Sequence, residues 1–203
     1  GARGLPAGAG PKGSEGGAPP RLSFHGMTAY VPIGLGGDPR AVRPALGRKG
    51  ELFGQLLRVT PSGQYQVVAD VAQHEVTDNP AGGAVDTNPY GIAALPGRRL
   101  VADAGSNAII EVLANGRTRT FAVPAALPGG RESVPTSVTQ GPDGALYVGL
   151  LTGFPFNRGT ASVLRVASDG SSVTTFASGL TAVVDVAFDA GGADYVVKPL
   201  RPP

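Results

Sequence analysis

Three sets of residues in this chain have types and spacings that could support chemistry. The first is the stretch from Asp70 to Tyr90, with His74, Glu75, Asp78, Asn79, Asp86 and Asn88. Carboxylates and amides at that density are hard oxygen donors, and Ca²⁺ takes about six to eight such ligands. The spacing fits no standard calcium loop, and Asp and Asn beside Pro80, Gly82 and Gly83 are equally the residues of tight turns. The second set is Asn88, Tyr90, Thr136 and Asp185, which fall at or near the starts of successive short predicted strands. If those strands surround one axis, their polar ends converge on a channel that could hold a small ligand or simply water. The third is Phe154-Pro155-Phe156, which puts two aromatic rings in the connector Thr152 to Thr160. Such rings either anchor a ligand or partner or fold back over their own sheet.

Acid–base and nucleophilic catalysis find little support. Of the side chains that titrate near neutral pH, only His25 and His74 are present, and no G-x-S-x-G elbow occurs. The chain has no cysteine, so thiolate metal sites and disulfides are excluded. No catalytic or metal-ligating set is assigned, and Ca²⁺ is the one cofactor the residues bring to mind. A G-x-G-x-x-G at Gly8, Gly10 and Gly13 contains Pro11 and lacks the strand before it and the helix after it that a nucleotide site needs.

The net charge is +2 and the basic residues are scattered, so no continuous stripe exists to displace counterions from nucleic acid. No apolar run is long enough for a membrane-spanning helix. The partner expected on these grounds is a small molecule or a protein of unspecified kind.

The elements that must position these residues are set by a repeat. LLRVTPSG (Leu56 to Gly63), IIEVLANG (Ile109 to Gly116) and VLRVASDG (Val163 to Gly170) follow one another at spacings of 53 and 54 residues. A period of that length marks a radial or stacked array. From Gly91 to Val123 the chain reads as four short strands, GIAAL, RLVAD, AIIEVL and RTRTFAV, parted by Pro96-Gly97, Gly105-Ser106-Asn107 and Asn115-Gly116. Asn-Gly accepts the positive φ angles of a type I′ hairpin turn. TSVTQ, ALYVGLL, ASVLRVA and SVTTFAS repeat the layout. The segments are too short and too β-branched for helices. Four antiparallel strands per unit, with a polar strand outermost, describe a propeller blade.

The expected fold is therefore all-β: an incomplete β-propeller arc of about two whole and two partial four-stranded blades. AYVPIG, QLLRVT and QYQVVAD supply three strands of the first partial blade, and VVDVAF and DYVV begin the last. Blades are expected over residues 27–197. Gly 32 and Pro 19 among 203 residues reflect turns in that region and low complexity elsewhere. Residues 1–26 read as a disordered low-complexity tail, and residues 198–203, ending KPLRPP, as a tail unlike any strand.

Three segments, IGLGGDP (Ile33 to Pro39), TNPYGIAALPGRRLVADAGSNAIIEV (Thr87 to Val112) and VPTSVTQGPDGALYVGLLTGFPF (Val134 to Phe156), resemble the ScyD/ScyE family. LTGFPF and NPYG are the specific parts of that likeness, and GPDGALYV occurs in many propellers. The resemblance runs from about Tyr30 to Val197. It implies a secreted or periplasmic NHL-like propeller of six blades in the parent, associated with the gene cluster for the pigment scytonemin. The Gly-, Ala- and Arg-rich bias resembles actinobacterial relatives. No catalytic residues are established for the family, so none carry over. The chain departs from the pattern at Thr181-Ala182-Val183-Val184-Asp185, where a polar residue is lost, and at Asp194-Tyr195-Val196, where Leu is expected first. With KPLRPP these departures read as a fragment whose ends differ from its middle, and since Gly1 opens no charged-then-apolar run, any secretion signal is expected to have been removed or to lie outside this sequence.

The resulting functional expectation is an exported, non-catalytic binding or scaffold propeller, linked to extracytoplasmic secondary-metabolite chemistry. Its ligands would meet Asn88, Tyr90, Thr136 and Asp185 at the inner rim and Phe154 and Phe156 in a recognition loop. The alternatives are a metal-dependent sugar-lactonase-like hydrolase using the axial channel, and a sensor or adhesion module.

Overall fold

Strands form where apolar residues are spaced to bury both faces of a sheet, and the second repeat unit shows this most clearly. The computed structural model describes residues 20–189, 191–192 and 194–197, with Leu5 and the two-residue strands β1 (Gly8–Ala9) and β2 (Gly16–Gly17). In that unit, β7 (Pro89–Leu95), β8 (Arg98–Asp103), β9 (Ala108–Leu113) and β10 (Thr118–Ala122) pair in sequence order, all antiparallel. Along β9, Ala108, Ile110 and Val112 pack toward the sheet before it, against Tyr30 and Leu56. Ile109 packs toward the sheet after it, against Leu146 and Val148. The period of two thus serves two cores. Glu111 on the Ile109 face is buried, and its charge is met by Arg98 and Arg119.

The first sheet runs β3 (Ser23–His25), β4 (Thr28–Pro32), β5 (Gln55–Val59), β6 (Tyr65–Asp70). The third runs β11 (Pro135–Gln140), β12 (Leu146–Leu150), β13 (Ala161–Val166), β14 (Val173–Leu180). A fourth pair, β15 (Asp185–Phe188) and β16 (Asp194–Val197), follows. The first strands β3, β7, β11 and β15 contact one another in succession, so each sheet radiates from a shared inner line. The chain is an open arc of a β-propeller.

Neighbouring blades approach so closely near the inner line that side chains are excluded at Gly91 and Gly149. A Cβ at Gly91 of β7 would lie 2.6 Å from the Thr136 carbonyl oxygen and 2.8 Å from the Ser137 Cα, both backbone atoms of the next blade. One at Gly149 of β12 would lie 2.7 Å from Val183 Cγ1 across the following interface. These glycines set the blade spacing.

The first blade gains a fourth strand over the three expected of it. Among the described residues there are three four-stranded blades and one two-stranded one, because β3 lies inside the segment read as tail. Gly26 at φ 60 opens the two-residue Gly26-Met27 turn of a β3–β4 hairpin, a position that favours glycine. Of the tail expectations, the rest of residues 1–19 and residues 198–203 lie mainly outside the described residues.

Two of the connectors contain short helices. Asp38 caps α1 (Pro39–Ala45), with proline at its first position, and a 3-10 segment (Gly47–Leu52) follows. Asp70 caps α2 (Val71–Asp78) by accepting from the Gln73 N–H, and Asn79 ends it in the left-handed conformation. The polar stretch from Asp70 to Tyr90 therefore opens with a helix, held by Val71 and Ala72 in the core. Asp70 also receives both terminal nitrogens of Arg43 at 2.7 and 2.8 Å, which ties α1 to α2. Among the described residues no helix is long and apolar enough to cross a membrane.

Candidate functional site

In an antiparallel meander, the connections after the second and fourth strands emerge at one end of each blade. On that face lie the β4–β5, β6–β7, β8–β9, β10–β11 and β12–β13 connections, and they are laced together. Gly37 and Thr87 form a β-bridge between the first two blades, with Gly36 N donating to Thr87 O at 2.9 Å. The Asn107 side-chain oxygen accepts from Val134 N at 2.9 Å, joining the second blade to the third. Leu151, Thr152 and Gly153 donate their amides to Val134, Ser133 and Glu132.

Between these loops is a cleft of about 430 Å³. It is lined by Gly36, Gly37 and Gly105 and by Val134, Leu151, Thr152, Gly153, Phe154 and Phe156. Asp86, Asn88 and Glu132 also line it. Asp86 Oδ1 occupies the space a Cβ at Gly105 would take, at 2.8 Å, and Glu132 Oε2 lies 3.6 Å from the Cβ position of Gly153. Phe154 is 84% exposed and Phe156 44%, with ring centroids 5.9 Å apart at an interplanar angle of 85°.

The backbone around the cleft is held in sparsely populated conformations. Val134 has φ 49, Thr152 φ 72 and Phe156 φ 57. For β-branched Val and Thr such angles are outliers that persist only where surrounding structure enforces them, and they concentrate at ligand clamps and active sites. The hydroxyl of Thr152, a residue only 2% exposed, has no hydrogen-bond partner.

Beneath the cleft, Asp103 is fully buried and organises the loops. It accepts from Thr87 Oγ1 at 2.5 Å, Asn88 N at 2.6 Å, and Gly105 N and Ser106 N at 3.1 Å each. Burial pushes its carboxyl above the usual carboxylate range, and these four donors pull it back. Glu75 on α2 is 3% exposed, and its Oε2 has no hydrogen-bond partner. Burial first, then repulsion from Asp103, raises it to about 7, against a backbone hydrogen bond from Asp86.

The sequence candidates are distributed as follows. Asn88, Phe154 and Phe156, proposed in two separate sets, share the cleft with Asp86. Asn88 is anchored, its side-chain oxygen accepting from Leu35 N at 3.2 Å. Tyr90 and Thr136 occupy corresponding register shifts of β7 and β11. The Thr136 hydroxyl is buried and donates to Val183 O at 2.9 Å, tying the third blade to the fourth. Asp185 is paired with Arg21, which also donates to Val184 O at 2.9 Å. That contact links the segment before β3 to the last sheet across the inner line.

Of the polar residues of Asp70 to Tyr90, Asp86 and Asn88 line the cleft and Glu75 lies close to Asp86, while His74 and Asp78 pair with each other on α2. His74 is buried, with Nε2 2.9 Å from Thr120 Oγ1 and Nδ1 3.3 Å from Asp78, and burial keeps its pKa below the usual value against the pull of Asp78. Among the described residues no group of three His, Cys, Asp or Glu is placed to hold a metal ion. Sequence reading did not single out Asp103, Glu132 or Thr152. Asp103 had one local signal, the Asp-Ala-Gly-Ser run of a side-chain-capped turn.

Compared with models of known families, the chain matches none, and no curated protein matches it. Solved structures do resemble it. A virginiamycin B lyase from Staphylococcus aureus aligns with TM-score 0.55 and 19% identity, over 87% of this chain and 47% of that one. A chain of a nidogen/laminin complex aligns with TM-score 0.56 and 17% identity, over 87% and 55%. A gluconolactonase from Xanthomonas campestris aligns with TM-score 0.50 and 20% identity, over 71% and 46%. The chain spans about half the length of these structures. A lyase, a member of a protein complex and a lactonase share only the propeller scaffold with it.

Proposed function

We propose that the chain belongs to an exported, non-catalytic binding propeller of the ScyD/ScyE type, whose loop-face cleft takes up a small molecule in extracytoplasmic secondary-metabolite chemistry. One observation carries this reading. The segments that bear the family resemblance are the ones that line the cleft: Gly36 and Gly37 from IGLGGDP, Asn88 from NPYG, and Leu151–Phe156 from LTGFPF. Strained backbone at Val134 and Thr152 and exposed rings at Phe154 and Phe156 suit a preformed pocket.

The lactonase-like alternative draws on the gluconolactonase neighbour and needs Asn88 and Asp185 to act on a metal at the axis. Asn88 is bonded to Leu35 N and Asp185 is paired with Arg21, which favours binding over hydrolysis. Nothing specific favours a sensor or adhesion role. The protein is expected not to accelerate gluconolactone hydrolysis with Ca²⁺ or Zn²⁺, whereas metal-dependent turnover lost in Asp185→Ala would replace this reading with the enzymatic one. Phe154→Ala and Phe156→Ala are expected to move the melting temperature by no more than about 2 °C, as exposed side chains do. Loss of folding would make the rings core and end the recognition role.

A further inference from the structure

We infer that the loop-face cleft selects an organic ammonium ion carrying an apolar body, a deepening that rests on the binding role proposed above. Two carboxylates line the cleft, Asp86 from the β6–β7 connection and Glu132 from the β10–β11 connection, and no basic residue does. Neither is in an ion pair among the described residues. Phe154 and Phe156 stand almost perpendicular, 5.9 Å between centroids, and form a two-sided aromatic corner. The negative faces of such rings attract a cation that sheds part of its hydration.

Two further observations point to a ligand and not to a solvated acidic loop. Thr152 lines the same cleft, is 2% exposed, and its hydroxyl is unpartnered. An N–H donor from an ammonium group would satisfy that oxygen once the side chain turns about χ1 toward the cleft. The backbone on either side of the corner, Thr152 and Phe156, is held at φ 72 and φ 57, so the aromatic pair is presented at the cost of strain. A compact cation seated between the carboxylates with its hydrocarbon part against Leu151 and Val134 uses every one of these features. An anion would face uncompensated charge.

Isothermal titration with three probes of one shape tests the charge class: benzylammonium, benzyl alcohol and benzoate. Benzylammonium is expected to bind at least about 10-fold more tightly than the alcohol, and benzoate more weakly than either. Asp86→Asn with Glu132→Gln should remove that preference, bringing the affinities for the amine and the alcohol to within about 2-fold of each other. Thr152→Val should weaken benzylammonium alone. If the alcohol binds as tightly as the amine and Phe154→Ala weakens both, the cleft binds but is not cation-selective, and this inference falls while the binding role stands. If no probe binds, or binding is indifferent to all four substitutions, both fall.

Discussion

Asp103→Ala is expected to remove most of the stability of the arc, lowering the free energy of unfolding by at least about 4 kcal/mol. Three backbone N–H groups and the Thr87 hydroxyl end on this one carboxylate, and it lies where water does not reach. Truncation leaves those donors buried and unpaired, each costing about 1–3 kcal/mol, against a total of about 5–15 kcal/mol for an ordinary domain. Asp103→Asn separates acceptor geometry from charge. One oxygen, Oδ1, receives all three amides, so an asparagine oriented alike keeps them and can turn its NH₂ toward Thr87 Oγ1. The asparagine variant should therefore retain cooperative unfolding in urea. If alanine and asparagine are equally mild, Asp103 does not organise the loops as described.

Glu75→Gln should stabilise the protein at pH 8 and leave it nearly unchanged at pH 4. Glu75 rises from an ordinary 4.5 to about 7. A carboxyl whose folded pKa is raised favours the folded state fully below the unfolded value, and that contribution is lost as pH rises through the folded value. Stability of the unaltered protein thus declines between about pH 4.5 and 7. Some 2.5 pH units correspond to about 3 kcal/mol, or a melting-temperature gain of roughly 6–10 °C for the glutamine variant at pH 8. Asp103 is shifted the same way, so some decline with pH should persist in the variant. Thermal melts at pH 4, 6 and 8 measure this, and a gain that is equal at all three would show that the effect of the substitution does not come from the ionisation of Glu75.

The architecture was legible because blades are local. The strands of the second and third sheets follow from apolar alternation and from Asn115-Gly116, Asp143-Gly144 and Asp169-Gly170, whose glycines turn at φ 82, 78 and 81. β3 was hidden by its glycine-rich setting: Ser23–His25 offers three residues, and its strand character comes from pairing with β4. The short helices were hidden too, since Asp38-Pro39 and Asp70 carry start signals that seven or eight residues cannot support without the core beneath them.

The site was half legible. Phe154, Phe156 and Asn88 stood out by type, but their meeting depends on how three blades stack, which a spacing in sequence does not report. Thr136 and Asp185 show the converse. Both were placed near the inner line by repeat position, yet the polar atoms of each serve blade-to-blade ties, to Val183 and to Arg21. Glu75 was visible only as one acid among several, because its burial comes from packing α2 between the blades.

If loops from three successive blades build one binding cleft, a ¹H–¹⁵N NMR titration with benzylammonium should move their amides together. The account predicts concerted shifts at Gly36, Gly37, Gly105 and Gly153, amides that belong to the connections of the first, second and third blades. Shifts confined to Leu22–Met27 and Val59–Gly63 at the free face of the first blade, or to the hairpin turns at Gly97, Gly116 and Gly144, would contradict it.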